Sequence, residues 1–258
     1  MENKVCVVTG ASKGIGSAIA VAMAGAGYDV AVNYHTDQAG AEAVCERIRA
    51  LGRRAVAVRA DVGETKEAQR LLKQAVESLG RIDVWVNNAG ISSEAYFLDT
   101  TEEFFDRMNR VDWKGLYFCS QYAARYMIEN HRKGVIINIA SNQADGCWPR
   151  ATVYAPVKAA VVKFTQNAAM ELARQGIRMV AIAPGYTDVG WEKDDIRWEA
   201  ADRLPLQRFA STEEIAQAAV YLAGENAAYI TGSTLTIDGG ATLPVVAAND
   251  FQEDTNGD

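Results

Sequence analysis

A serine, a tyrosine and a lysine are spaced for proton transfer at a carbonyl oxygen. Tyr154 precedes Lys158 by four residues, and Ser141 lies thirteen residues before the tyrosine. Positions i and i+4 share one face of a helix, so the phenol and the ammonium can reach one reacting centre. A free tyrosine has a pKa near 10, and a nearby cation favours its ionised form. Such spacing also occurs on ordinary surface helices, so its meaning depends on whether the chain holds a redox cofactor.

A glycine-rich loop near the N-terminus has the composition of a pyrophosphate-binding turn. It follows an apolar run, opens a helical pattern and reads Thr9-Gly10-Ala11-Ser12-Lys13-Gly14-Ile15-Gly16. Glycines allow a tight turn and a close approach of the backbone to a ligand. The start of the next helix would offer unpaired N–H groups to an anion. A turn without a ligand is the alternative, and the position between strand and helix disfavours it.

The residues at the end of the second predicted strand indicate which dinucleotide is bound. Folds selective for NAD usually place an acidic residue there, but this strand ends Asn33-Tyr34-His35. Lys13 could pair with a 2′-phosphate, or could be a solvated loop lysine. We therefore favour NADP(H), with NAD(H) as the other possibility, and expect Tyr34 and His35 beside the adenosine ribose.

Polar residues follow the third and fourth predicted strands. Asp61-Val62 comes after one strand, and Asn88-Ala89-Gly90 comes after the other. Ligands of open α/β sheets bind at these carboxyl ends, although Asn, Asp and Gly also favour ordinary turns. Because both segments lie at the same edge of the sheet, we expect them to contact the cofactor.

The elements that must position these residues alternate between apolar runs and helical patterns. We predict an α/β fold: a single-domain, Rossmann-type, doubly wound parallel sheet with helices on both faces. The predicted strands are Val5–Thr9, Val30–Tyr34, Ala55–Ala60, Ile82–Val86, Gly134–Ala140, Arg178–Ala183 and Thr234–Ile237. The predicted helices are Ile15–Ala26, Ala39–Leu51, Lys66–Leu79, Thr101–Arg110, Trp113–Asn130, Thr152–Gln175 and Thr212–Ala223.

Composition narrows the class of protein. The 258 residues are 49% hydrophobic and 23% charged, with a formal net charge of -7. This acidity argues against nucleic acid or an anionic membrane as a partner. No apolar run approaches the roughly 20 residues that span a bilayer, and no secretory signal precedes the first strand. Dispersed cysteines and two histidines suit no metal site. We therefore expect a cytoplasmic enzyme without a metal.

Together these motifs resemble the short-chain dehydrogenase/reductase family, and they run in its order along almost the whole chain. The matching elements are residues 9–16, Asp61-Val62, Asn87–Gly90, Ser141, Tyr154, Lys158, Pro184-Gly185 and Asp238–Gly240. The chain is most similar to the bacterial branch of glucose-type sugar dehydrogenases and 3-oxoacyl-carrier-protein reductases. Residues 127–134 and the Trp148-Pro149 pair favour the sugar side. The resemblance implies a homotetramer or a homodimer.

The resemblance also implies roles for individual residues. Tyr154 would be the general acid/base, Lys158 would favour its phenolate and hold the nicotinamide ribose, and Ser141 would bind the substrate oxygen. The cofactor would be lined by Gly10, Ser12, Lys13, Gly14, Ile15, Gly16, Tyr34, His35, Asp61, Val62, Asn88, Ala89, Gly90, Tyr154, Lys158, Pro184, Gly185 and Thr187.

Two positions depart from the family pattern. Asp112 stands where the family usually has an asparagine that holds a water near Lys158, so it joins the candidate catalytic residues. Its charge could oppose the phenolate, or it could be a tolerated replacement with the same geometry. Val189 stands where a threonine usually contacts the nicotinamide amide, and Thr187 is the candidate to replace it.

The substrate side is less clearly marked. The charged segment Asp188–Pro205 interrupts the alternation and carries Trp191 and Trp198, which could cover a ligand or pack the segment onto the core. The candidate substrate residues are Gln143, Trp148, Tyr186 and Trp191. We assign residues 1–246 to the catalytic domain, with a lid at about 188–205, and residues 247–258 to an acidic tail.

We conclude that the sequence predicts an NAD(P)(H)-dependent oxidoreductase, NADP-preferring, that interconverts a secondary alcohol and its carbonyl. The alcohol would be of the sugar, hydroxysteroid or 3-hydroxyacyl type, as a small molecule. The alternatives are a catalytically silent NADP-binding regulatory protein of the same fold, and a dehydratase or epimerase that uses bound NAD transiently.

Overall fold

A seven-stranded parallel sheet forms the centre of the computed structural model, which describes residues 3–192 and 194–243. The strands are β1 (Val5–Val8), β2 (Asp29–Tyr34), β3 (Ala55–Arg59), β4 (Val84–Asn87), β5 (Gly134–Ile139), β6 (Ile177–Pro184), β7 (Thr187–Asp188), β8 (Ala210–Ser211) and β9 (Thr234–Ile237). The order in the large sheet is β3-β2-β1-β4-β5-β6-β9, and β7 pairs with β8 separately. The order reverses direction between β1 and β4, the point at which sheets of this kind bind ligands.

Helices cover both faces of the sheet, which confirms the predicted fold class. They are α1 (Gly14–Gly25), α2 (Gln38–Ala50), α3 (Thr65–Leu79), α4 (Glu102–Met108), α5 (Leu116–Glu129), α6 (Tyr154–Leu172) and α7 (Thr212–Ala223). One buried cluster joins the sheet to α1, α2 and α7, and a second joins it mainly to α3 and α5. Strands covered on both faces are apolar throughout, as the sequence of β1 illustrates.

The largest departure from the predicted elements lies between α4 and α5. The sequence indicates a break there, but a π-helical turn over Asn109–Gly115 joins the two helices continuously. Gly115 packs against the backbone of Val62, so closely that a Cβ would lie 2.8 Å from its carbonyl oxygen. Asp112 is buried within this turn. Wider turns of this type often occur at functional sites.

The other differences are shifts of element boundaries and the two short strands β7 and β8, which the sequence does not predict. Helix α6 begins at Tyr154 rather than Thr152, which leaves Pro156 in the first turn, where its missing N–H has no helical partner. The predicted lid contains a 3-10 helix over Ile196–Arg203. The acidic tail, residues 247–258, falls outside the described residues. No helix in the described part of the chain is long and apolar enough to cross a membrane.

Candidate active site

A cleft of about 880 Å³ opens at the carboxyl ends of β4, β5 and β6. It brings together the four predicted catalytic residues, which are Ser141, Tyr154, Lys158 and Asp112. It also brings together the predicted substrate residues, which are Gln143, Trp148, Tyr186 and Trp191. Of the predicted cofactor residues, it is lined by Ile15, Asn88, Gly90, Pro184, Gly185 and Thr187. The sheet therefore places proton-transfer groups next to one end of the glycine loop.

Ser141 follows β5 and is oriented by its own backbone. Its side chain caps a 3-10 turn, and its Oγ accepts a hydrogen bond from the backbone N–H of Gln143 at 3.2 Å. Because this bond occupies a lone pair of the hydroxyl, the hydroxyl proton is left to donate elsewhere. The side chain is buried at the wall of the cleft.

Tyr154 and Lys158 occupy successive turns at the start of α6. The Nζ of Lys158 lies 5.3 Å from the centre of the Tyr154 ring. The same ammonium donates to the carbonyl oxygen of Ile139 at the end of β5, at 3.3 Å. Its side chain is buried, so its charge acts on the phenol with little screening by water.

Asp112 forms a direct ion pair with Lys158. Its Oδ2 lies 3.2 Å from Nζ, and the two side chains are only 0% and 6% exposed. The other carboxylate oxygen accepts the backbone N–H of Ile91 at 2.7 Å, which fixes the carboxylate at the base of the cleft. Burial alone would lower the pKa of Lys158, but Tyr154 and Asp112 raise it above its ordinary value. The lysine is therefore held as a cation.

Gly90 makes room for this ion pair. A Cβ at that position would lie 2.7 Å from Oδ2 of Asp112 and 3.5 Å from Nζ of Lys158. The first distance is shorter than real Cβ contacts, so a larger residue would displace the carboxylate. The glycine that the sequence marked as a cofactor residue thus also has a role in packing the acid–lysine pair.

The glycine loop forms a cradle that fits a dinucleotide pyrophosphate. Gly10 has a φ of 60°, and a Cβ there would lie 2.8 Å from the backbone of Ala89. A Cβ on Gly16 would lie 2.4 Å from the Asn88 amide nitrogen. Helix α1 has Lys13 at its N-cap and no side chain capping it. Its first N–H groups are therefore available to an anion, which is the donor set that a diphosphate requires.

Asn88 and Thr9 hold this loop in place. The Asn88 amide donates to the carbonyl oxygens of Thr9 and Gly10 at 2.9 and 3.0 Å. The Thr9 hydroxyl oxygen accepts the backbone N–H groups of Asn88 and Ala89, both at 3.0 Å. The segment after β4 is thus tied to the loop after β1. Its asparagine side chain fixes the cradle from behind, a contact that the sequence did not distinguish from direct cofactor contact.

The predicted adenine residues Asp61 and Val62 lie at the end of β3. Val62 is buried. The Asp61 carboxylate pairs with Arg110 at 2.8 Å and accepts the N–H of Gly63 at 2.9 Å. Burial alone would raise the pKa of Asp61, but Arg110 and Gly63 hold it below its ordinary value. Arg110 is a partner that no motif revealed, because it comes from the distant π-helical turn.

At the tip of β2, Tyr34 is buried and His35 is exposed. The next carboxylate, Asp37, caps α2 by accepting a backbone N–H at 2.9 Å. The exposed Arg59 donates to the carbonyl oxygen of His35 at 3.3 Å. Arg59 is a cation that the sequence analysis missed. Arg59 lies opposite Tyr34 in the parallel register of β2 and β3, and this register places it at the tip of β2.

The loop after β9 supports the far wall of the cleft. Asp238 accepts hydrogen bonds from both the N–H and the hydroxyl of Thr242, at 2.9 and 2.7 Å, and from the Asn142 amide at 3.4 Å. Burial alone would raise the pKa of Asp238, but these bonds, with one from the Gly240 N–H, lower it. Gly185 packs directly on Asp238, where a Cβ would lie 2.6 Å from the aspartate Cβ.

Thr187 and Val189 follow this wall. The Thr187 hydroxyl donates to the carbonyl oxygen of Gly185 at 3.1 Å, and Thr187 is buried. Val189 lies against the glycine loop, 3.6 Å from where a Cβ of Gly14 would be. Both residues line the cleft, so either can meet a ligand that spans the loop and the cleft.

The two tryptophans of the lid have different positions. Trp191 lines the cleft, whereas Trp198 stacks on Phe209 with ring centres 4.8 Å apart. Trp191 contacts the same phenylalanine edge-on at 5.5 Å, and Tyr186 stacks on its ring at 5.1 Å. The aromatic cluster therefore attaches residues 188–205 to the body of the protein, and the guanidinium of Arg197 lies over the Trp191 ring, 4.1 Å from its centre.

Two ion pairs mark the rim of the cleft. Arg150 pairs with Glu94 at 2.7 Å, and the Nε of Arg197 donates to Asp195 at 2.8 Å. These four residues were not among the predicted site residues. Within residues 3–192 and 194–243, no group of His, Cys, Asp or Glu is placed to hold a metal ion.

Comparison with known proteins agrees with this arrangement. Residues 10–242 match a family model described as enoyl-(acyl carrier protein) reductase. The chain is 38% identical over 241 residues to the 3-oxoacyl-[acyl-carrier-protein] reductase FabG of Staphylococcus epidermidis, covering 92% of this chain and 98% of the relative. It is 37% identical over 248 residues to glucose 1-dehydrogenase 2 of Bacillus subtilis, covering 94% and 96%.

A solved structure extends the comparison to three dimensions. A short-chain dehydrogenase from Burkholderia cenocepacia in complex with NADP superimposes with a TM-score of 0.86 at 33% identity, covering 92% of this chain and 96% of that one. These matches span the cradle, the cleft and the far wall together. The protein therefore belongs to the short-chain dehydrogenase/reductase family and is an NAD(P)-dependent oxidoreductase that acts on CH–OH groups.

Proposed function

We propose that this protein is an NADP(H)-preferring enzyme that interconverts a secondary alcohol and its carbonyl, with Tyr154 as general acid/base. The observation that carries the proposal is the convergence of Ser141, Tyr154 and Lys158 on one cleft that also reaches the glycine-loop cradle. The substrate classes are sugars, hydroxysteroids and 3-hydroxyacyl compounds. Sugar and 3-oxoacyl chemistry are supported by the names of two relatives.

The chain's own groups supply proton transfer and orientation. When bound, the nicotinamide accepts or supplies the hydride. In alcohol oxidation the Tyr154 phenolate takes the hydroxyl proton as the hydride leaves the carbon, and reduction reverses both transfers. Ser141 donates a hydrogen bond to the same oxygen, which stabilises its developing negative charge. Lys158 places its positive charge next to the phenol and so favours the phenolate.

The residues that would hold the cofactor lie from α1 to the far wall. The free N–H groups at the start of α1 suit the pyrophosphate, and Lys158 with Asn88 and Gly90 suits the nicotinamide ribose. Pro184, Gly185 and Thr187 would border the nicotinamide ring. Asp61 and Val62 would contact the adenine through atoms other than the carboxylate oxygen that Arg110 engages.

The preference for NADP(H) is supported by charge at the tip of β2. Arg59 is an exposed cation at that tip, and Lys13 is an exposed cation on the glycine loop, whose Ala11 N–H donates to Asn33 of β2. The first carboxylate after the strand, Asp37, caps α2. A 2′-phosphate at this tip would be attracted to these two cations. NAD(H) lacks that phosphate and would gain nothing from either cation.

The proposal includes self-association into a homotetramer or a homodimer in the cytoplasm. Apolar side chains remain exposed on the outer helices: Tyr117 and Ile128 on α5 are each 38% exposed, and Met170 on α6 is 81% exposed. Light scattering on the purified protein would give the assembly, and a monomer at micromolar concentration would contradict this part.

A substrate panel tests the function against a silent NADP-binding protein of the same fold. The purified protein is mixed with NADP⁺ or NAD⁺ and with sugars, hydroxysteroids and 3-hydroxy esters, and the formation of reduced nicotinamide is followed. Turnover with at least one class, faster with NADP⁺, is expected. Tight NADPH binding without turnover of any alcohol or ketone would contradict the proposal and favour the regulatory protein. Cofactor retained through purification, with no net redox change, would indicate a dehydratase or epimerase.

A further inference from the structure

The π-helical turn between α4 and α5 carries both Arg110 and Asp112, and their side chains contact different parts of the molecule. The Nη1 of Arg110 donates to the carboxylate of Asp61 at 2.8 Å and to that of Glu64 at 3.0 Å, in the segment after β3. Asp112 lies 3.2 Å from the ammonium of Lys158 at the base of the cleft. One short turn therefore joins the segment after β3 to the active-site lysine.

Contacts from outside the helix hold this turn in place. π-Helical turns are rare, so regular α-helical bonding is the default that local contacts must overcome. Gly63 leaves room for the arginine, because a Cβ there would lie 2.7 Å from Nη1 of Arg110. At the other end of the turn, Gly115 leaves room for the backbone of Val62. These close fits and the two bonds of the arginine fix the turn against the segment after β3.

On the cleft side, Asp112 and Lys158 are held by different elements. The carboxylate belongs to the turn and accepts the backbone N–H of Ile91 at 2.7 Å. The lysine belongs to α6 and donates to the carbonyl oxygen of Ile139 in β5 at 3.3 Å. A shift of the turn would therefore change the separation of the two charges, because the lysine would not move with it.

We propose that Arg110 is a positioning residue: by anchoring the π-helical turn to Asp61, it sets the separation of Asp112 and Lys158. When the anchor is lost, the turn relaxes and the carboxylate moves away from the ammonium. The charge of Lys158 then acts on Tyr154 with less opposition, so the phenol ionises at lower pH. This inference rests on the proposed function, in which Tyr154 is the general acid/base.

The loss of charge alone would have the opposite effect. Arg110 is a cation, so its removal from an unchanged structure would raise the pH at which Tyr154 ionises. The other charged groups that line the cleft are retained in every variant below, and they are Glu94, Arg150, Asp195 and Arg197. A shift to lower pH therefore reports movement of the turn.

The absorbance of the ionised phenol measures this effect in the cofactor-free protein. Each variant is titrated with and without Tyr154→Phe, at pH values where circular dichroism shows it folded, and the difference isolates one phenol. In Arg110→Met, Tyr154 should ionise at lower pH than in the native protein, with a shift no larger than that of Asp112→Asn. Arg110→Lys keeps a donor for Asp61 and should return the curve toward the native one. Arg107→Met, which removes an exposed arginine of α4, should give no shift to lower pH.

Two further variants identify the route of the effect. Gly63→Ala displaces the guanidinium of Arg110 without changing any charge, and it should give a shift of the same sign as Arg110→Met. The double variant Arg110→Met/Asp112→Asn should titrate no lower than Asp112→Asn alone, because the charge that moves is absent. The proposal is overturned if Arg110→Met titrates at or above the native pH, or if its full shift persists in the double variant.

This titration uses neither cofactor nor substrate, so its result does not depend on turnover. If the shifts occur in a protein that turns over no alcohol or ketone, the proposed function fails and the positioning role stands. If the native enzyme turns over and the shifts are absent, the positioning role fails and the proposed function stands.

Discussion

The Nζ atom of Lys158 lies 3.2 Å from Oδ2 of Asp112, at the base of the cleft. An isolated lysine in this position would favour the phenolate of Tyr154 with its whole charge. The carboxylate stabilises the ammonium but offsets part of its effect on the phenol. The pair therefore keeps Lys158 charged at the cost of a weaker influence on the general base.

Replacing Asp112 with asparagine should move the rising limb of the pH–rate profile for alcohol oxidation to lower pH. The substitution removes a negative charge, so the positive charge of Lys158 acts on Tyr154 without an opposing charge. Asp106→Asn, which makes the same charge change at an exposed position of α4, is the control and should leave the limb in place. If the rising limb of Asp112→Asn stays at the native pH or moves to higher pH, the electrostatic role of Asp112 is contradicted.

The same pair contributes to stability over a defined pH range. The pKa of Lys158 is raised in the folded protein, so its contribution is complete below the ordinary value of 10.5 and is lost as pH rises beyond it. Asp112→Asn leaves a buried ammonium without its partner and should lower the unfolding free energy by about 3 kcal/mol at neutral pH. The difference from the native protein should shrink above pH 10.5. Chemical unfolding at both pH values measures it.

Two glycines of α1 provide a matched test of the cradle. A Cβ on Gly16 would lie 2.4 Å from Asn88 Nδ2 and 2.5 Å from the Gly10 carbonyl oxygen, whereas a Cβ on Gly25 would meet nothing within 4 Å. Gly16→Ala should weaken NADPH binding at least tenfold, because the loop must move. Gly25→Ala should bind NADPH as the native protein does. Fluorescence titration with NADPH gives both constants, and equal affinities would show that the cradle is not the binding site.

Cofactor selectivity should depend on Lys13 and Arg59. Each single change to alanine should raise KM for NADP⁺ by about tenfold, the loss of one charge-assisted contact to phosphate, and leave KM for NAD⁺ nearly unchanged. Lys73→Ala on α3, where the side chain is 74% exposed, is the control for a general change of surface charge. If KM rises equally for NADP⁺ and NAD⁺ in these variants, Lys13 and Arg59 do not bind the 2′-phosphate.

A buried thiol should make the protein sensitive to alkali. Burial raises the pKa of Cys119 from 9.0 to about 12. The unfolded thiol ionises first, so the stability that Cys119 contributes is complete below pH 9.0 and is lost as pH approaches 12. Between these pH values, Cys119 contributes up to about 1.4 kcal/mol per pH unit to the fall of the unfolding free energy with pH. For Cys119→Ala, denaturant unfolding between pH 9.0 and about pH 12 should show a shallower fall of the unfolding free energy with pH. Removal of the exposed Cys147 should leave the fall as it is in the native protein.

The sequence was sufficient for the features that depend on local pattern. Apolar β-branched runs gave the seven strands of the large sheet, and glycines between a strand and a helix marked the cradle. The spacing of Tyr154 and Lys158 was sufficient because both lie on one helix. Element ends moved by a few residues where caps and turns, rather than periodicity, decide them.

The sequence was insufficient where partners come from distant segments. Arg110 reaches Asp61 from a π-helical turn, and no periodic signal distinguishes such a turn from a break between helices. The position of Asp112 near Lys158 followed from the resemblance, but the direct ion pair depends on how that turn packs against α6 and on the bond from Ile91 to Asp112. Likewise, an unpaired oxygen on Gln143 is a property of the packed cleft and has no sequence signature.

Turnover by a Tyr154→Phe variant tests the central claim most directly. Phenylalanine keeps the ring and removes only the group that transfers the proton. The account predicts that kcat falls by at least a hundredfold, the usual scale of general acid–base catalysis, while the dissociation constant of NADPH stays within about twofold of the native value. A variant that binds NADPH normally and retains substantial turnover would contradict the assignment of Tyr154 as the general acid/base.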